Sequence, residues 1–236
     1  MPKNIDYLND IREAERVSFD LLNEDELNAY ISKLKEANPN LANLDNESIY
    51  TLAHIKHNGS ITLFATLLFS LFPQVYYPRL CITAVVVPGT EMGDIGINNE
   101  RFLDNELIEG TIQEMLNKAL HFVKKNMKYN RASDYPIAAI REAILNALMH
   151  RDYSVYAEGA PIQIVMYEDR MEIINPIGRN TRNPALAAAL EILGLAKNKN
   201  TGIITIREEM KKHHLREPEF LEESNSFIVK FYKENK

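Results

Sequence analysis

The chain has 236 residues, with 27 Lys or Arg against 33 Asp or Glu, which gives a formal net charge of −6 at neutral pH. Hydrophobic residues make up 45% of the chain, charged residues 25%, and glycine and proline number only 9 and 10. These values are ordinary for a globular protein and exclude a disordered or collagen-like chain. The acidic balance also argues against a nucleic-acid-binding surface spread over the whole chain.

The cysteine content and the longest apolar stretch indicate a cytoplasmic chain with no membrane partner. Cys81 is the single cysteine, so an intramolecular disulfide framework is excluded and a reducing compartment is expected. The Met1 end has no apolar core of the kind a signal peptide carries. The stretch 61–72 is shorter than the ~20 residues that cross a bilayer, and it contains Thr62, Thr66 and Ser70. We therefore expect a buried helix there.

The first half of the chain is predicted to mix helices with a strand. Apolar residues recur at helical intervals before Asn38, and a β-branched run at 80–87 is typical of a buried strand. The predicted elements are a surface helix ending at Asn38, a short helix over 46–54, a turn at 57–60, a helix over 63–71 capped by Thr62, the strand over 80–87 and a long amphipathic helix over 105–127.

A polar stretch at 130–134 is the best candidate for a domain boundary, because the patterning differs on its two sides. We therefore predict an α+β supporting domain over residues 1–130 and a second domain over residues 131–236. The elements predicted in the second domain are helices over 135–150, 184–193 and 203–213, and strands over 162–167, 170–174 and 227–231.

The helix beginning near Tyr135, after Ser133 or Asp134 as cap, carries the most informative pattern. Its apolar stripe is Ile137, Ile140, Ile144 and Leu148. Glu142, Asn146 and His150 are spaced i, i+4 and i+8 on the opposite side, where their neighbours are alanines. A solvated face would carry Lys and Glu at such positions, so the small residues indicate that something approaches this face. A plain surface helix is the alternative interpretation.

A carboxylate and a carboxamide one turn apart suit a site for phosphate and Mg2+. Asn146 would be the metal ligand, and Glu142 would accept a proton from, or orient, a water that attacks a terminal phosphate. Two turns complete the hypothesis: 175–178 after a strand, and Thr201-Gly202 before a helix, where backbone N–H groups could bind an anion and Gly202 leaves room for it. Taken alone, Thr201-Gly202 is more often an ordinary capping turn.

These residues also carry a family resemblance. The segment 135–154, YPIAAIREAILNALMHRDYS, resembles the N box of the divergent ATP-binding domain labelled RecG-related helicase C-terminal. Further similar strings are PIQI at 161–164, DRMEIINP at 169–176, TRNP at 181–184 and TGI at 201–203. GSITL at 59–63, FPQ at 72–74 and RFLDN at 101–105 are similar to the middle part of Schlafen-AlbA-like transcriptional regulators.

The resemblance implies an N-terminal α+β domain followed by a GHKL-ATPase-like α/β sandwich, in which helices cover one face of a mixed sheet. It implies an ATP and Mg2+ site with Glu142 as general base and Asn146 as metal ligand. Asn175 stands where relatives have the adenine-binding Asp, and Thr201 and Gly202 stand in the second glycine box. His150 and Gly178 complete the nucleotide-binding residues that we expect.

Departures from the family pattern leave three functions open. Ile177 stands where relatives have a glycine before Gly178, Asn200 replaces the first glycine of the second box, and only two residues join Gly178 to Thr181. The leading hypothesis is an ATP-binding module of a transcriptional regulator. The alternatives are a nucleotide-free scaffold of a DNA-binding regulator, and a weak ATPase, which would need a lid to exclude water.

Three further expectations concern partners and motor activity. A helicase motor is not expected, because no G-x-x-x-x-G-K-[ST] string is present. DNA would bind through domains that this chain does not contain, namely the N-terminal domain and the winged helix usual in such regulators. The sequence leaves open whether two copies of the chain associate.

Overall fold

The computed structural model describes residues 9–14, 16–129, 135–178, 183–196 and 201–233. In these ranges the chain forms a six-stranded mixed sheet backed by helices, together with a small two-stranded hairpin. The α/β sandwich predicted from the sequence is confirmed. None of the described helices is both long and apolar enough to cross a membrane.

The α-helices of the described residues are α1 (Glu24–Ala37), α2 (Asn46–Leu52), α3 (Leu63–Phe69), α4 (Pro73–Tyr76), α5 (Ile112–Tyr129), α6 (Ile137–His150), α7 (Pro184–Ile192) and α8 (Gly202–Lys212). The strands are β1 (Lys56–His57), β2 (Ser60–Ile61), β3 (Ile82–Val86), β4 (Asp104–Ile108), β5 (Ile162–Met166), β6 (Arg170–Pro176), β7 (Glu219–Glu222) and β8 (Ser226–Tyr232). Three-residue 3-10 turns lie at Asn9–Ile11, Phe19–Leu21 and Pro39–Leu41.

Local chemistry explains where the N-terminal elements begin and end. The Asn23 side chain accepts the Glu26 N–H at the start of α1, and Thr62 Oγ1 accepts the Ala65 N–H at the start of α3, as predicted. The predicted turn at 57–60 joins β1 to β2, with Asn58 and Gly59 in the left-handed region at φ 48° and 80°. Asn and Gly are the residues that adopt such backbone angles at least cost.

The sheet has the order β4-β3-β5-β6-β8-β7. β3 and β5 run parallel, and every other neighbouring pair in the sheet is antiparallel. β3 and β4 precede the predicted boundary at 130–134 and the other four strands follow it, so one sheet includes strands from both predicted domains. The boundary itself and the predicted caps Ser133 and Asp134 lie outside the described residues. The division at residue 130 therefore stays a prediction.

The helix predicted over 105–127 is wrong at its beginning, because residues 104–108 form strand β4. Gly110 interrupts the apparent helical period with φ of +124°, and a new helix start follows it. There Thr111 Oγ1 accepts the Glu114 N–H while Glu114 Oε2 accepts the Thr111 N–H, at 3.3 and 2.7 Å. This reciprocal pair is a capping box, and it sets the beginning of α5. The edge strand β7 was also not predicted, since four residues are too few for a clear alternation.

The helices pack on one face of the sheet and form a continuous core with it. α6 is central to this layer, because it packs against α5, α8 and β6. Its predicted apolar stripe is confirmed, since Ile140, Ile144 and Leu148 are each at most 1% exposed. A smaller cluster around Val87, Val165 and Tyr167 lies apart from this core. The burial of one stripe of α6 in the core leaves its opposite side to face α7 and α8.

The N-terminal segment also holds α7 in place. Asp10 is fully buried, and its Oδ2 accepts the Leu186 N–H in the first turn of α7 at 3.0 Å. Burial raises the pKa of Asp10, although hydrogen bonds from the backbone, first that of Leu186, oppose the shift. An acceptor 176 residues away in the chain thus satisfies a free donor of this helix. The sequence pattern carries no signal for so distant a cap.

Candidate functional site

A cavity of about 890 Å³ lies between α6, α7, α8 and the strands β6, β7 and β8. Its volume is within the range of small-molecule and cofactor sites. Five of the seven predicted site residues line it, which are Glu142, Asn146, His150, Asn175 and Gly202. Gly178 and Thr201 are not among the lining residues. Residues distant in the sequence are therefore brought together at one cavity.

Glu142 and Asn146 form a pair on the cavity side of α6. Their side chains are one helical turn apart, near enough for the Asn146 carboxamide to influence the ionisation of Glu142. Burial raises the pKa of Glu142, while the positive charge of Arg141 and the Asn146 hydrogen bond oppose the shift. A carboxylate whose pKa is raised by burial holds a proton more readily than an exposed one. The pair can therefore offer oxygen atoms to a cation or exchange a proton with a bound molecule.

Gly202 begins α8 directly against Asn146. A Cβ atom at position 202 would lie 2.2 Å from Asn146 Nδ2, which is far inside van der Waals contact. The space left by the missing side chain is therefore occupied by the Asn146 carboxamide. The contact of Gly202 with a phosphate stays a prediction. Thr201 is the N-cap of α8, but its side chain makes no capping hydrogen bond. Asn200 lies outside the described residues.

Asn175 lies near the end of β6 and presents a buried acceptor. It is 4% exposed, and its Oδ1 has no hydrogen-bond partner among the described residues. The cavity wall beside it is apolar and partly aromatic, with the rings of Phe220 and Phe227 6.3 Å apart and Val229 nearby in the same wall. A buried acceptor without a partner in an apolar surrounding favours a ligand that brings an N–H or O–H donor.

Gly178 follows β6 and lies against Asp152. A Cβ atom at position 178 would be 1.8 Å from Asp152 Oδ2, so a side chain larger than hydrogen does not fit without displacing that carboxylate. Asp152 is itself held by the chain, because its Oδ1 accepts the Ser154 N–H and its N–H donates to Pro176 O. A side chain at position 178 is therefore accommodated only if the Asp152 carboxylate moves. The residues 179–182 that follow it lie outside the described ranges.

The string His150 to Ser154 is the most family-specific part of the sequence. Its side chains mainly form hydrogen bonds within the protein. Arg151 is 1% exposed and its guanidinium donates to Arg79 O and Ala160 O at 3.1 and 2.6 Å. Tyr153 donates its hydroxyl hydrogen to Leu148 O at 2.6 Å. These bonds connect the end of α6 with the beginnings of β3 and β5. Of this string, only His150 lines the cavity.

Sequence reasoning missed three polar residues of the cavity, Asn183, Glu191 and Glu222. Asn183 is the N-cap of α7 and 3% exposed, and its Nδ2 donates to Met149 O and Arg151 O. The TRNP string offered a signal for Asn183, because it belongs to the family resemblance and had no role. Glu191 and Glu222 offered none, since acidic residues are common on solvated surfaces.

The charge of the cavity is acidic. Glu142, Glu191 and Glu222 line it, and none of its lining residues in the described ranges is Lys or Arg. No group of three or more His, Cys, Asp or Glu residues within those ranges is arranged to hold a metal ion. Glu142 and Asn146 provide the oxygen donors that Mg2+ prefers, but a metal ion would need further ligands from a bound molecule or water. The donor set thus fits Mg2+ only in company with a ligand.

Comparison with known proteins supports the fold and part of the resemblance. A solved structure, that of the DIP2311 protein from Corynebacterium diphtheriae, matches with a TM-score of 0.64 at 18% sequence identity. The match covers 94% of this chain and 40% of that chain, so the present chain spans less than half the length of that relative. At this identity the likeness establishes the fold. A search of curated proteins finds no match.

A family model also matches the C-terminal part of the chain. Its description is "Putative ATP-dependent DNA helicase recG C-terminal", and it matches residues 159–231. The matched segment includes Asn175, Gly178, Thr201 and Gly202, whereas α6 with Glu142, Asn146 and His150 precedes it. The resemblance to the RecG-related C-terminal family is therefore confirmed over residues 159–231. The likeness of segment 135–154 to its N box, and of 59–105 to Schlafen-AlbA-like regulators, stays a prediction.

Proposed function

We propose that the cavity binds ATP together with Mg2+. The observation that carries this proposal is the buried Oδ1 of Asn175, which has no partner among the described residues and lies in an apolar, partly aromatic wall. An adenine ring would supply both the flat apolar surface and an amino group that donates to this oxygen. The match of residues 159–231 to an ATPase-related family supports the same ligand class.

We infer the direction of the nucleotide from two positions along α6. Glu142 and Met149 both line the cavity and are seven residues apart, which corresponds to about 10 Å along a helix. We infer that the base binds near Asn175 and the C-terminal end of α6, and the phosphates near Glu142 and Asn146. Bound Mg2+ would neutralise phosphate charge there. Asn146 would offer its carboxamide oxygen to the ion, and Glu142 would hold or accept a proton from a nearby water.

A nucleotide-free scaffold is the second candidate, and the charge of the cavity favours it. Glu142, Glu191 and Glu222 line the cavity, and none of its described lining residues is cationic, so a triphosphate without a metal ion would be repelled. The contact of Gly202 with Asn146 also leaves little room for a phosphate at the start of α8. Slow ATP hydrolysis is a third possibility, for which Glu142 is the candidate base.

The role of the longer protein that contains this module is a separate proposal. We propose that the nucleotide-binding module serves a transcriptional regulator, and that DNA is bound through parts of a longer protein. The chain spans 40% of the length of the solved relative, so the activity of that whole protein does not transfer. The acidic lining of the cavity gives no support for direct contact with DNA phosphates at this site.

Calorimetric titration of ATP, with and without Mg2+, tests the proposed function. We expect saturable binding that requires Mg2+, and a loss of about ten- to hundredfold in affinity for Asn146→Ala, because one oxygen ligand and the partner of Glu142 are removed together.

Asn126→Ala is the matched control. Asn126 is also a buried helical asparagine, but it lies in α5, where its Nδ2 donates to Asp104 Oδ2 and Phe122 O. We expect its ATP affinity to equal that of the wild type. If the folded wild-type chain binds no ATP at millimolar concentration with Mg2+ present, the scaffold replaces the proposal.

A further inference from the structure

Asn183 presents a second buried acceptor to the same cavity. Its Nδ2 donates to two backbone carbonyl oxygens, Met149 O at 2.9 Å and Arg151 O at 2.8 Å. Both hydrogens of the amide are thereby used, so the side chain has one orientation and the remaining polar atom is an acceptor. This atom, Oδ1, is buried and has no partner among the described residues. It also makes no capping bond to α7.

The two unpaired acceptors of the cavity belong to the same end of it. Asn183 bonds to the carbonyl of Arg151, and the next residue, Asp152, donates its N–H to Pro176 O at 3.1 Å, directly after Asn175. Asn183 and Pro176, the residue after Asn175, are therefore bonded to the consecutive residues Arg151 and Asp152, whose Cα atoms are about 3.8 Å apart. Both side chains line the cavity. The end of the cavity beyond α6 thus offers two acceptors and requires two donors.

An amino group on a flat ring satisfies this requirement. We propose that Asn183 is a specificity-determining residue, which together with Asn175 accepts the two N–H groups of the 6-amino substituent of a purine. The ligand class is then a 6-aminopurine nucleotide. This inference rests on the proposed nucleotide site and extends it. A 6-oxo purine such as hypoxanthine or guanine would set a carbonyl oxygen against two acceptors, which is repulsive.

The comparison of ATP with ITP, which carries hypoxanthine, tests this inference on the unmodified chain. In titrations with Mg2+ present, we expect ITP to bind at least about tenfold more weakly than ATP, because each lost hydrogen bond leaves a buried oxygen unpaired. N6-methyl-ATP, which has one N–H in place of two, should fall between them. Equal affinity for ATP and ITP would overturn the inference and leave the proposed nucleotide site standing.

The variant Asn183→Leu separates recognition from packing. We expect its affinity for ATP to fall several-fold while its affinity for ITP is unchanged or higher, because the repelling oxygen is gone. An equal loss for ATP and ITP would assign Asn183 a structural role and overturn the inference. Asn126→Leu is the control, since it removes a buried asparagine whose Nδ2 also makes two hydrogen bonds, and its ratio of ATP to ITP affinity should equal that of the wild type.

Three further outcomes are decided by the same measurements. If Asn183→Leu does not fold, the affinities of the wild-type chain for ATP, N6-methyl-ATP and ITP test the inference instead. Equal affinities for the three nucleotides would contradict the role of Asn183. If the folded wild-type chain binds none of the three nucleotides, the proposed function fails and this inference fails with it. A preference for ATP that survives in folded Asn183→Leu would assign selectivity to Asn175 alone.

Discussion

Two polar regions meet at the C-terminal end of α6, and they differ in how their buried groups are satisfied. In the first, around Arg151, side chains bond to the backbone of the same chain: Arg151 to Arg79 O and Ala160 O, and Tyr153 to Leu148 O. In the second, the cavity, Asn175 Oδ1 and Asn183 Oδ1 have no partner among the described residues. In the first region, the buried side-chain groups just named are paired, and Arg151 Nε is the exception. The cavity in contrast has two buried acceptor oxygens without a partner among the described residues.

This difference distinguishes residues that stabilise the fold from residues that are available to bind a ligand. The string from His150 to Ser154 is the most distinctive part of the sequence, yet its buried members hold the turn after α6 against two strand beginnings. Buried polar groups are normally paired, so two unpaired acceptors that line one cavity point to an external partner there. The less distinctive asparagines of the cavity are therefore the better guide to a ligand.

Removal of the Arg151 side chain should give the largest loss of stability, since it removes the hydrogen bonds that Arg151 donates in the first region. Arg151→Met removes a buried guanidinium and leaves the carbonyl oxygens of Arg79 and Ala160 without their donor, which should cost about 3 kcal/mol of unfolding free energy. For a chain of this size that corresponds to a fall of about 6–12 °C in the thermal midpoint. Thermal unfolding followed by circular dichroism measures it. The exposed Arg101→Met is the control and should change the midpoint by less than about 2 °C. An equal effect of both variants would show that Arg151 is not a structural anchor.

Gly178→Ala tests whether the glycine after β6 belongs to the first region. The added Cβ would meet Asp152 Oδ2 and displace it, so we expect a loss of about 1–2 kcal/mol, again measured by thermal unfolding. Gly159→Ala is a matched control, because a Cβ at that position has no neighbour within 4 Å. If Gly178→Ala weakens ATP binding without any loss of stability, Gly178 belongs instead with the cavity.

Glu142→Gln should give the smallest effect and sharpens the description of the cavity. The pKa of Glu142 is raised by burial, so the folded chain binds its proton more tightly than the unfolded chain does. Wild-type stability therefore decreases as the pH rises from the ordinary glutamate value through the raised one. At pH 7 the variant should be more stable, by less than about 1 kcal/mol, and below pH 4 the difference should vanish. Unfolding midpoints from pH 3.5 to 8 check this.

The exposed Glu36→Gln is the control for that series, and we expect its stability to follow the wild type at every pH. A gain in Glu142→Gln that is the same at pH 3.5 and pH 7 would contradict the role of burial at Glu142. A loss at pH 7 would indicate that the ionised carboxylate stabilises the fold, which is the opposite sign.

Much of the local structure could be predicted from the sequence, and the failures have identifiable causes. The capped beginning of α3, the Asn58-Gly59 turn and the apolar stripe of α6 follow from residues close together in the chain. β4 was mistaken for the beginning of a helix because Leu107 fits the period of the following helix, while the capping box at Thr111 was overlooked. β7 is short and lies at the edge of the sheet, where patterning is weak.

Some residues of the candidate site could likewise be predicted from the sequence, and others could not. Glu142 and Asn146 could be paired from their spacing of one helical turn. Asn175 could be assigned to the site because it follows the predicted strand 170–174, although β6 extends to Pro176 and includes it. The role of Gly202 could not, because its neighbour Asn146 is 56 residues away in the chain. Asn183 and the acidic residues Glu191 and Glu222 join the cavity only through the packing of α7 and the last strands.

The amino-acid sequence by itself determined seven of the eight described α-helices, four of the eight described strands, the α/β class of the fold and the face of α6 that bears Glu142 and Asn146, because these depend on periodicity and caps within a few residues. The tertiary structure alone decided that β3 and β4 join the sheet of the later strands and that Asp10 caps α7. It also decided which asparagine oxygens are left unpaired. Hydrogen-bond satisfaction is a property of the packed chain, since the partner of a buried polar atom can be far away in the sequence, as Leu186 is from Asp10.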